Sequence, residues 1–571
     1  MRKGIVALVV FAFVLAAGAA VAAEVHEVYS ENGMVSSAHE LASQAGVEIL
    51  KKGGNAIDAA MATMLALNVV EPNASGLGGG GFSTIRFAET GEVVELDYRE
   101  VAPLSATKDM YASEESKKAR ESVLGGKSVG VPGIVKGIFT ALEMYGTMSF
   151  AEVAAPAIRL AEEGFEVHPM QNQIIIDQFD KLSRYSPNCA FLPDGLPAET
   201  GTILRQPALG FAFRLLGEQG PSVFYEGEIG EAVVAAVNEA GGRMSMEDLK
   251  NYSVLIQKPV HGTYRGYSIF STPPASSGGT HIVQLLNIME NFNVGAMKHN
   301  SPDYLHHMAE AMKLVFADRQ KYMADTAFVN VPLNGLSSKD YAKELAARIR
   351  RYDVMKDVPA GDPWPYNETA KQAYLGGAGN KHISTSSFSV VDAEGNIVAS
   401  TNTVNFFFGS GVVVPEFGIV LNNEMDDFAK DPASVNAPEP GKRPLSSMSP
   451  TIVLDPEGNP FMTIGAAGAM RIITAVSQII MNVVDFGMAM DEAIEQPRIY
   501  NPAGGGKAGK LLIEEGISPS TVAYLKLRGH DLEVQPFGGY FGTAQGILFD
   551  HARGRMNGGA DSRRLGVPVG Y

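Results

Sequence analysis

The chain has 571 residues, 45% of them hydrophobic, a formal net charge of −17 and a single cysteine, Cys189. This is the composition of a well-packed globular protein, long enough for several domains or one large body, and its 62 glycines follow no period, which excludes collagen-like and disordered classes. Acidity without a Lys/Arg run speaks against nucleic acid as a partner, and one thiol excludes an intrachain disulfide or a metal centre built on thiolates.

At the N-terminus, Met1, Arg2 and Lys3 form a short positive region, residues 4 to about 20 are apolar, and Ala20, Val21, Ala22 and Ala23 close the stretch. This is the pattern of a secretory signal peptide cut near Ala22 or Ala23. The rival reading is a membrane anchor, which the small-residue ending disfavours. The expectation is an exported protein, periplasmic or extracellular, with no membrane association after residues 1–23 are removed.

Residues 38–70 read as helical, with Asn55 and Asp58 spaced as a capping box. The glycine run at 76–81 breaks that pattern. It lacks the Gly-Lys-Ser/Thr of a phosphate loop, so its glycines are assigned to close backbone approach. Residues 82–86 and 93–98 alternate as two strands. From about 105 to 349 the pattern is mostly helical, with joints at Pro132, Pro156, Pro273 and Pro274. Within it, His306 and His307 read as helix surface and 348–351 as a solvated helix end. Gly126, Ser128 and Gly130 match a serine-hydrolase elbow, but Pro132 follows where a helix is needed.

A glycine-rich connector, 374–380, precedes strands at 389–391, 397–398, 411–414 and 419–421. Helical periodicity returns at 471–485 and 520–529. A helix-rich first two-thirds and a strand-rich last third together suggest sheets covered by helices.

The segment 382–392 carries chemistry. It lies where the connector meets a strand, a suitable place for cleavage to expose a new N-terminus. A cut between Ser384 and Thr385 gives Thr385 a free α-amine with a pKa of about 7.7–8, able to act as base for its own hydroxyl. If Val391 faces Ile397 across the turn, counting outward sets Thr385 opposite Thr403; a two-residue turn sets it opposite Val404. A solvated strand face lined with Thr, Ser and Asn is the plainer reading of the same spacing, and spacing alone leaves both open.

Longer motifs separate them. TSSFSVVDAEGN (385–396), STNTVNFFFGSGVVVPEFGIVLNNEMDDF (400–428), KRPLSSMSPTIV (442–453) and the ending DSRRLGVPVGY resemble the small subunit of γ-glutamyltransferases. GGNAIDAA (53–60), GLGGGGF (76–82), LDYREVAP (96–103), VGVPGIVKG (129–137), YRGYSIFSTPPASSGG (264–279) and ADRQKYMAD (317–325) resemble the preceding part, in order.

The resemblance implies an α+β fold, the four-layer α-β-β-α sandwich of N-terminal-nucleophile hydrolases. It also implies self-cleavage into a large chain, 24–384, and a small chain, 385–571, that remain together as a heterodimer. Thr385 takes the nucleophile's position and Thr403 that of the threonine orienting it. Arg99, with Ser446 and Ser447, falls where the glutamyl α-carboxylate is bound; Asn405, Glu424 and Asp427 fall where the α-ammonium is held. The backbone amides of Gly468 and Ala469 take the oxyanion-hole positions. Donors would be glutathione and other γ-glutamyl compounds, acceptors would be water, amino acids or peptides, and no metal or organic cofactor is needed.

Three departures from the family pattern stand out. Ala469 replaces a glycine; alanine keeps the N–H, so the oxyanion hole can survive if its φ is negative. Ser387 replaces a histidine common in the family. The link 429–442 is short and lacks an aromatic residue, which suggests a more open cleft. Two rivals are a glutaryl-type cephalosporin acylase, which needs no ammonium pocket, and an uncleaved, inactive scaffold that binds γ-glutamyl peptides.

Overall fold

The computed structural model describes residues 28–367 and 384–571. The signal-peptide reading (1–23) and the connector (374–380) lie outside the described residues.

Two seven-stranded antiparallel sheets form the centre. In chain order their strands are β1 (Val28–Ser30), β2 (Met34–Ser37), β3 (Gly80–Arg86), β4 (Val93–Asp97), β5 (Leu255–Gln257), β6 (Val260–Tyr264), β7 (Tyr267–Ser271), β8 (Ser386–Val391), β9 (Ile397–Thr403), β10 (Thr451–Leu454), β11 (Pro460–Ala467), β12 (Thr543–Asp550), β13 (Arg555–Ala560) and β14 (Val567–Gly570). One sheet runs β14-β2-β8-β9-β3-β4-β5, the other β1-β13-β12-β11-β10-β7-β6. Both sheets contain strands from before and after residue 384, so each sheet is completed by both parts of the chain.

Helices α1 (Glu40–Lys51) and α2 (Ala56–Val70) cover the outer face of the first sheet, while α3 (Gly278–Met289) and α5 (Arg471–Val484) cover the second and α4 (Pro302–Tyr322) packs against α3. The result is the expected α-β-β-α sandwich. Its core has three slabs. Phe388 and Val390 pack toward α2. Ile464 and Ala466 pack toward α3–α5. Met34, Val391, Ile397, Ala399, Ile452 and Ile547 fill the space between the sheets. A strand buried on both faces has no polar side to expose, which is why all six residues of β8 are buried.

Local chemistry explains the elements near the site. The Asn55–Asp58 capping box is made as spaced, and it starts α2. The glycine run lets β3 approach its neighbours closely: a Cβ on Gly79 would lie 2.0 Å from the Thr403 carbonyl oxygen, and one on Gly78 2.3 Å from that of Val420. Either contact would force the backbones apart.

Several expectations are corrected. Pro156 is no joint; it lies inside the helix Phe150–Glu163, whose start is fixed by a Ser149–Glu152 capping box and whose apolar stripe is buried. The middle third contributes β5, β6 and β7 rather than helices alone. The strand expected at 411–414 is only Val413–Val414. His306 and His307 are buried, not surface. His306 bonds His530 from a distant loop (Nδ1···Nε2 2.8 Å), a partner that no local pattern announces. Ser128 is also buried, its hydroxyl donated to the Gly125 carbonyl, so the elbow-like motif is structural. No helix among the described residues is long and apolar enough to cross a membrane.

Candidate active site

The hairpin β8–β9 fixes the position of Thr385. Val391 pairs with Ile397 and the ladder runs back to Ser386 opposite Asn402. The next step outward brings Thr385 to Thr403, with their hydroxyl oxygens 3.2 Å apart. The five-residue loop is therefore the correct count, and the two-residue alternative fails. Strand side chains alternate, so Thr385, Ser387, Ser389 and Val391 all face the second sheet, as do Thr403 and Thr401. A one-residue slip would turn Ser386 toward the second sheet in place of Thr385 and take Phe388 out of the slab it shares with α2. The apolar slabs thus hold the hydroxyl pair in register.

Thr403 receives the Asn405 N–H at 2.8 Å, which leaves its own proton to donate toward Thr385. Thr385 has φ +106°, outside the usual range for a β-branched residue. Such a conformation costs on the order of 1–3 kcal/mol and persists only where neighbours enforce it. The neighbours are visible. Arg564 Nη1 donates to the Thr385 carbonyl at 2.6 Å. Ser386 donates its hydroxyl to Glu71 at 2.6 Å, and Glu71 lies 3.6 Å from the same arginine. Glu71 and Arg564 were not singled out in the sequence, although Arg564 falls within its terminal motif.

On another wall of the cleft, Arg99 follows β4 and is fully buried. Its backbone is held from both sides: its N–H donates to Asp97 and its carbonyl accepts the Tyr252 hydroxyl, each at 2.9 Å. Its guanidinium donates to Glu424 and, at 2.6 Å, to Asp427, with Glu100 at 3.6 Å. The expected arrangement set Arg99 on one side and the acids on the other; here they form one contiguous cluster. Burial, followed by the Arg99 charge acting in the opposite sense, leaves the Glu424 carboxyl well above the usual carboxylate range. Glu100 is raised to about 7, burial again being the largest cause. Asn405, at φ +71°, donates its side-chain amide to the Asn423 carbonyl at 3.0 Å.

Ser446 and Ser447 follow Pro444, whose carbonyl accepts from Arg99 Nε at 3.2 Å. The Ser446 backbone is fixed by the Ala275 carbonyl and by the Ser277 hydroxyl, and Ser447 Oγ accepts from Arg319 Nη2 at 3.0 Å.

Gly468 and Ala469 form the turn from β11 into α5, and the amides of both are without a hydrogen-bond partner among the described residues. The φ of Ala469 is +53°, contrary to the negative value its alanine leads one to expect. The reason is geometric: the chain reverses from strand to helix within two residues, and Arg471 N–H must reach the Gly468 carbonyl. The amide survives, at a cost of about 1–2 kcal/mol for a left-handed alanine. It also lies at the N-terminal end of α5, whose dipole favours negative charge there.

One cleft is lined by Thr385, Thr403, Arg99, Asn405, Glu424, Asp427, Ser446, Ser447 and Ala469, together with Arg319, Asn436 and Met470. Gly468 stands just behind its lining. Asn436 comes from the short link 429–442 and is pinned there, donating to the Asp427 carbonyl at 2.7 Å. Sequence reasoning missed Arg319, yet a signal existed: its helical neighbours Val315, Phe316, Tyr322 and Met323 are all apolar, which puts the arginine on a buried stripe. Ser387 is buried against Gly465, where a Cβ would come within 2.3 Å of its hydroxyl.

Comparison with known proteins supplies independent information. Residues 42–571 match the family described as gamma-glutamyltranspeptidase. The chain is 40% identical to a glutathione hydrolase proenzyme of Bacillus subtilis (strain 168), covering 95% of this chain and 92% of that one. It is 39% identical to an ACY 1 acylase proenzyme of Pseudomonas sp. (strain V22), covering 94% and 93%. A cephalosporin acylase from Bacillus halodurans superposes with a TM-score of 0.84 at 30% identity, covering 96% of this chain and 97% of that one.

Proposed function

The chain belongs to the gamma-glutamyltranspeptidase family of enzymes, and from that premise we propose that it is an exported glutathione hydrolase and γ-glutamyltransferase whose nucleophile is Thr385. Cleavage of its own Ser384–Thr385 bond would create the active form, with 24–384 and 385–571 as its two chains. The sharing of both sheets between these parts is a physical reason for them to stay together.

The supporting observation is the Thr385–Thr403 hydroxyl pair at the mouth of a cleft that also holds Arg99, Glu424 and Asp427. In the proposed reaction Thr385 Oγ attacks the γ-carbonyl carbon, and its proton passes to the Thr385 α-amine. The oxyanion faces the amides of Gly468 and Ala469. The amine returns the proton to the leaving nitrogen of cysteinylglycine, and the C–N bond breaks. Water, or the amine of an amino acid or peptide, then attacks the γ-glutamyl ester and restores Thr385.

A γ-glutamyl group carries a carboxylate and an ammonium on one carbon. The ammonium fits Glu424, Asp427 and Asn405, adding a positive charge where three acids face the single Arg99. The carboxylate fits Arg99, Ser446 and Ser447. A glutaryl group has no ammonium, so two acids at the cleft favour γ-glutamyl donors over the acylase reading despite the acylase relatives. Purified enzyme given glutathione is expected to release glutamate and cysteinylglycine, and glutaryl-7-aminocephalosporanic acid is expected to be a poor substrate. The reverse preference would replace this proposal with the acylase reading.

A further inference from the structure

Two arginines face the cleft, and only one of them is in ion-pair contact with acids. Arg99 is ringed by Glu100, Glu424 and Asp427. Arg319, near the end of α4, is 4% exposed; among the described residues it makes no ion pair, and Asp427, which lines the same cleft, acts on its charge from beyond contact. Each of its three nitrogens donates elsewhere: Nε to Ser277 Oγ at 2.8 Å, Nη2 to Ser447 Oγ at 3.0 Å and Nη1 to Met470 Sδ at 3.4 Å. An isolated buried cation is expensive unless something completes it. The contacts also have a direction. Ser277 accepts from Arg319 and donates its hydroxyl to the Ser446 carbonyl at 2.7 Å. Ser447 accepts from Arg319 and has one proton of its own left to give. A single guanidinium therefore ties together the backbone of Ser446 and the side chain of Ser447, the two residues placed at the carboxylate end of the donor.

We infer that Arg319 is a positioning residue for donor recognition: it holds the Ser446–Ser447 pair and sets behind it a positive charge that makes no ion pair, so that the carboxylate of the α-amino acid, not its ammonium, is drawn to this wall. The inference rests on the γ-glutamyl reading above. It assigns Arg319 the role that Arg99, surrounded by three acids, fills only in part.

The test compares Arg319→Gln and Arg319→Lys with the wild type on three p-nitroanilides. The γ-glutamyl compound carries both charges, the glutaryl compound only the carboxylate and the 4-aminobutanoyl compound only the ammonium. In Arg319→Gln, KM for the γ-glutamyl compound is expected to rise about 10- to 100-fold with a much smaller change in kcat, the scale of a lost hydrogen bond to a charged group. The loss of kcat/KM on the 4-aminobutanoyl compound should be at least tenfold smaller than on the γ-glutamyl and glutaryl compounds. Equal losses on all three would overturn the inference and make Arg319 a packing residue. If Arg319→Gln fails to accumulate as folded protein, Arg319→Lys carries the same expectation at smaller size, because it keeps the charge but loses the fork that spans Ser277 and Ser447. A wild type that does not prefer the γ-glutamyl compound to both analogues would instead sink the γ-glutamyl reading itself.

Discussion

Two of the buried arginine–carboxylate clusters among the described residues differ in one respect. In the first, Arg498 and Arg563 meet Glu514 and Asp561, two cations against two acids. All four carboxylate oxygens are occupied: Asp561 accepts from Arg498, Arg563 and two backbone amides, and Glu514 from Arg563 and the Arg498 amide. In the second, one cation, Arg99, faces Glu100, Glu424 and Asp427. The closed cluster depresses the Asp561 pKa through its arginines against the larger effect of burial, whereas the open one leaves Glu424 and Glu100 raised. A balanced cluster has no capacity left for a ligand. An imbalanced one next to a cleft is a place where a ligand's charge belongs, and this separates bracing from binding where residue type cannot.

The largest expected effect is on the closed cluster. Arg563→Ala leaves two buried acids facing one arginine and should cost about 3–5 kcal/mol, read as a fall in melting temperature or loss of soluble protein. If it melts like the wild type, the cluster is not the brace described. Glu424→Gln sharpens the contrast from the other side. Stability should stay within about 1 kcal/mol, because the isosteric amide can still accept from Arg99 and burial already disfavours a charge there, while kcat/KM on a γ-glutamyl anilide falls about 100-fold, or roughly 2.7 kcal/mol. A large loss of stability with little loss of activity would reverse the assignment.

A smaller effect depends on pH. Glu100 has an ordinary pKa of 4.5 and is raised to about 7 in the folded protein. Between those values the folded state binds more protons than the unfolded, so this group makes stability fall as pH rises through that window. Asp561 has the opposite sign: lowered from 3.8, its contribution is full above that value and is lost as pH falls through the folded pKa. Glu100→Gln should flatten the fall in stability between pH 4.5 and 7; an unchanged slope would assign it to another group. The smallest expected change is at Ala469. Glycine adopts its φ of +53° freely, so Ala469→Gly should raise stability by about 0.5–1 kcal/mol, net of glycine's greater unfolded-state entropy. A lower melting temperature would mean that the methyl group packs usefully.

Much of this site is legible in the sequence because it rests on local rules. The 392–396 turn sets the register, and the register brings Thr385 to Thr403. The glycine run announces close backbone approach, and Asn55 with Asp58 announces the start of α2. Other features depend on contacts distant in sequence. Pro156 is carried inside a helix because Val153, Ala157 and Ala161 bury its face, outweighing a penalty of about 3 kcal/mol. The burial of His306 needs His530, and the sign of the Ala469 φ needs the turn into α5. That Arg99 would meet all its acids at once, while Arg319 would meet none within ion-pair distance, follows only from packing two sheets and five helices together.

The central claim is that Thr385 becomes an N-terminal nucleophile. Intact-mass spectrometry of the purified wild type beside Thr385→Ala tests it most directly. The account predicts two chains in the wild type, the smaller beginning at Thr385, and one uncut chain in the variant. A single wild-type chain, or a variant that is cut at the same bond, would contradict it.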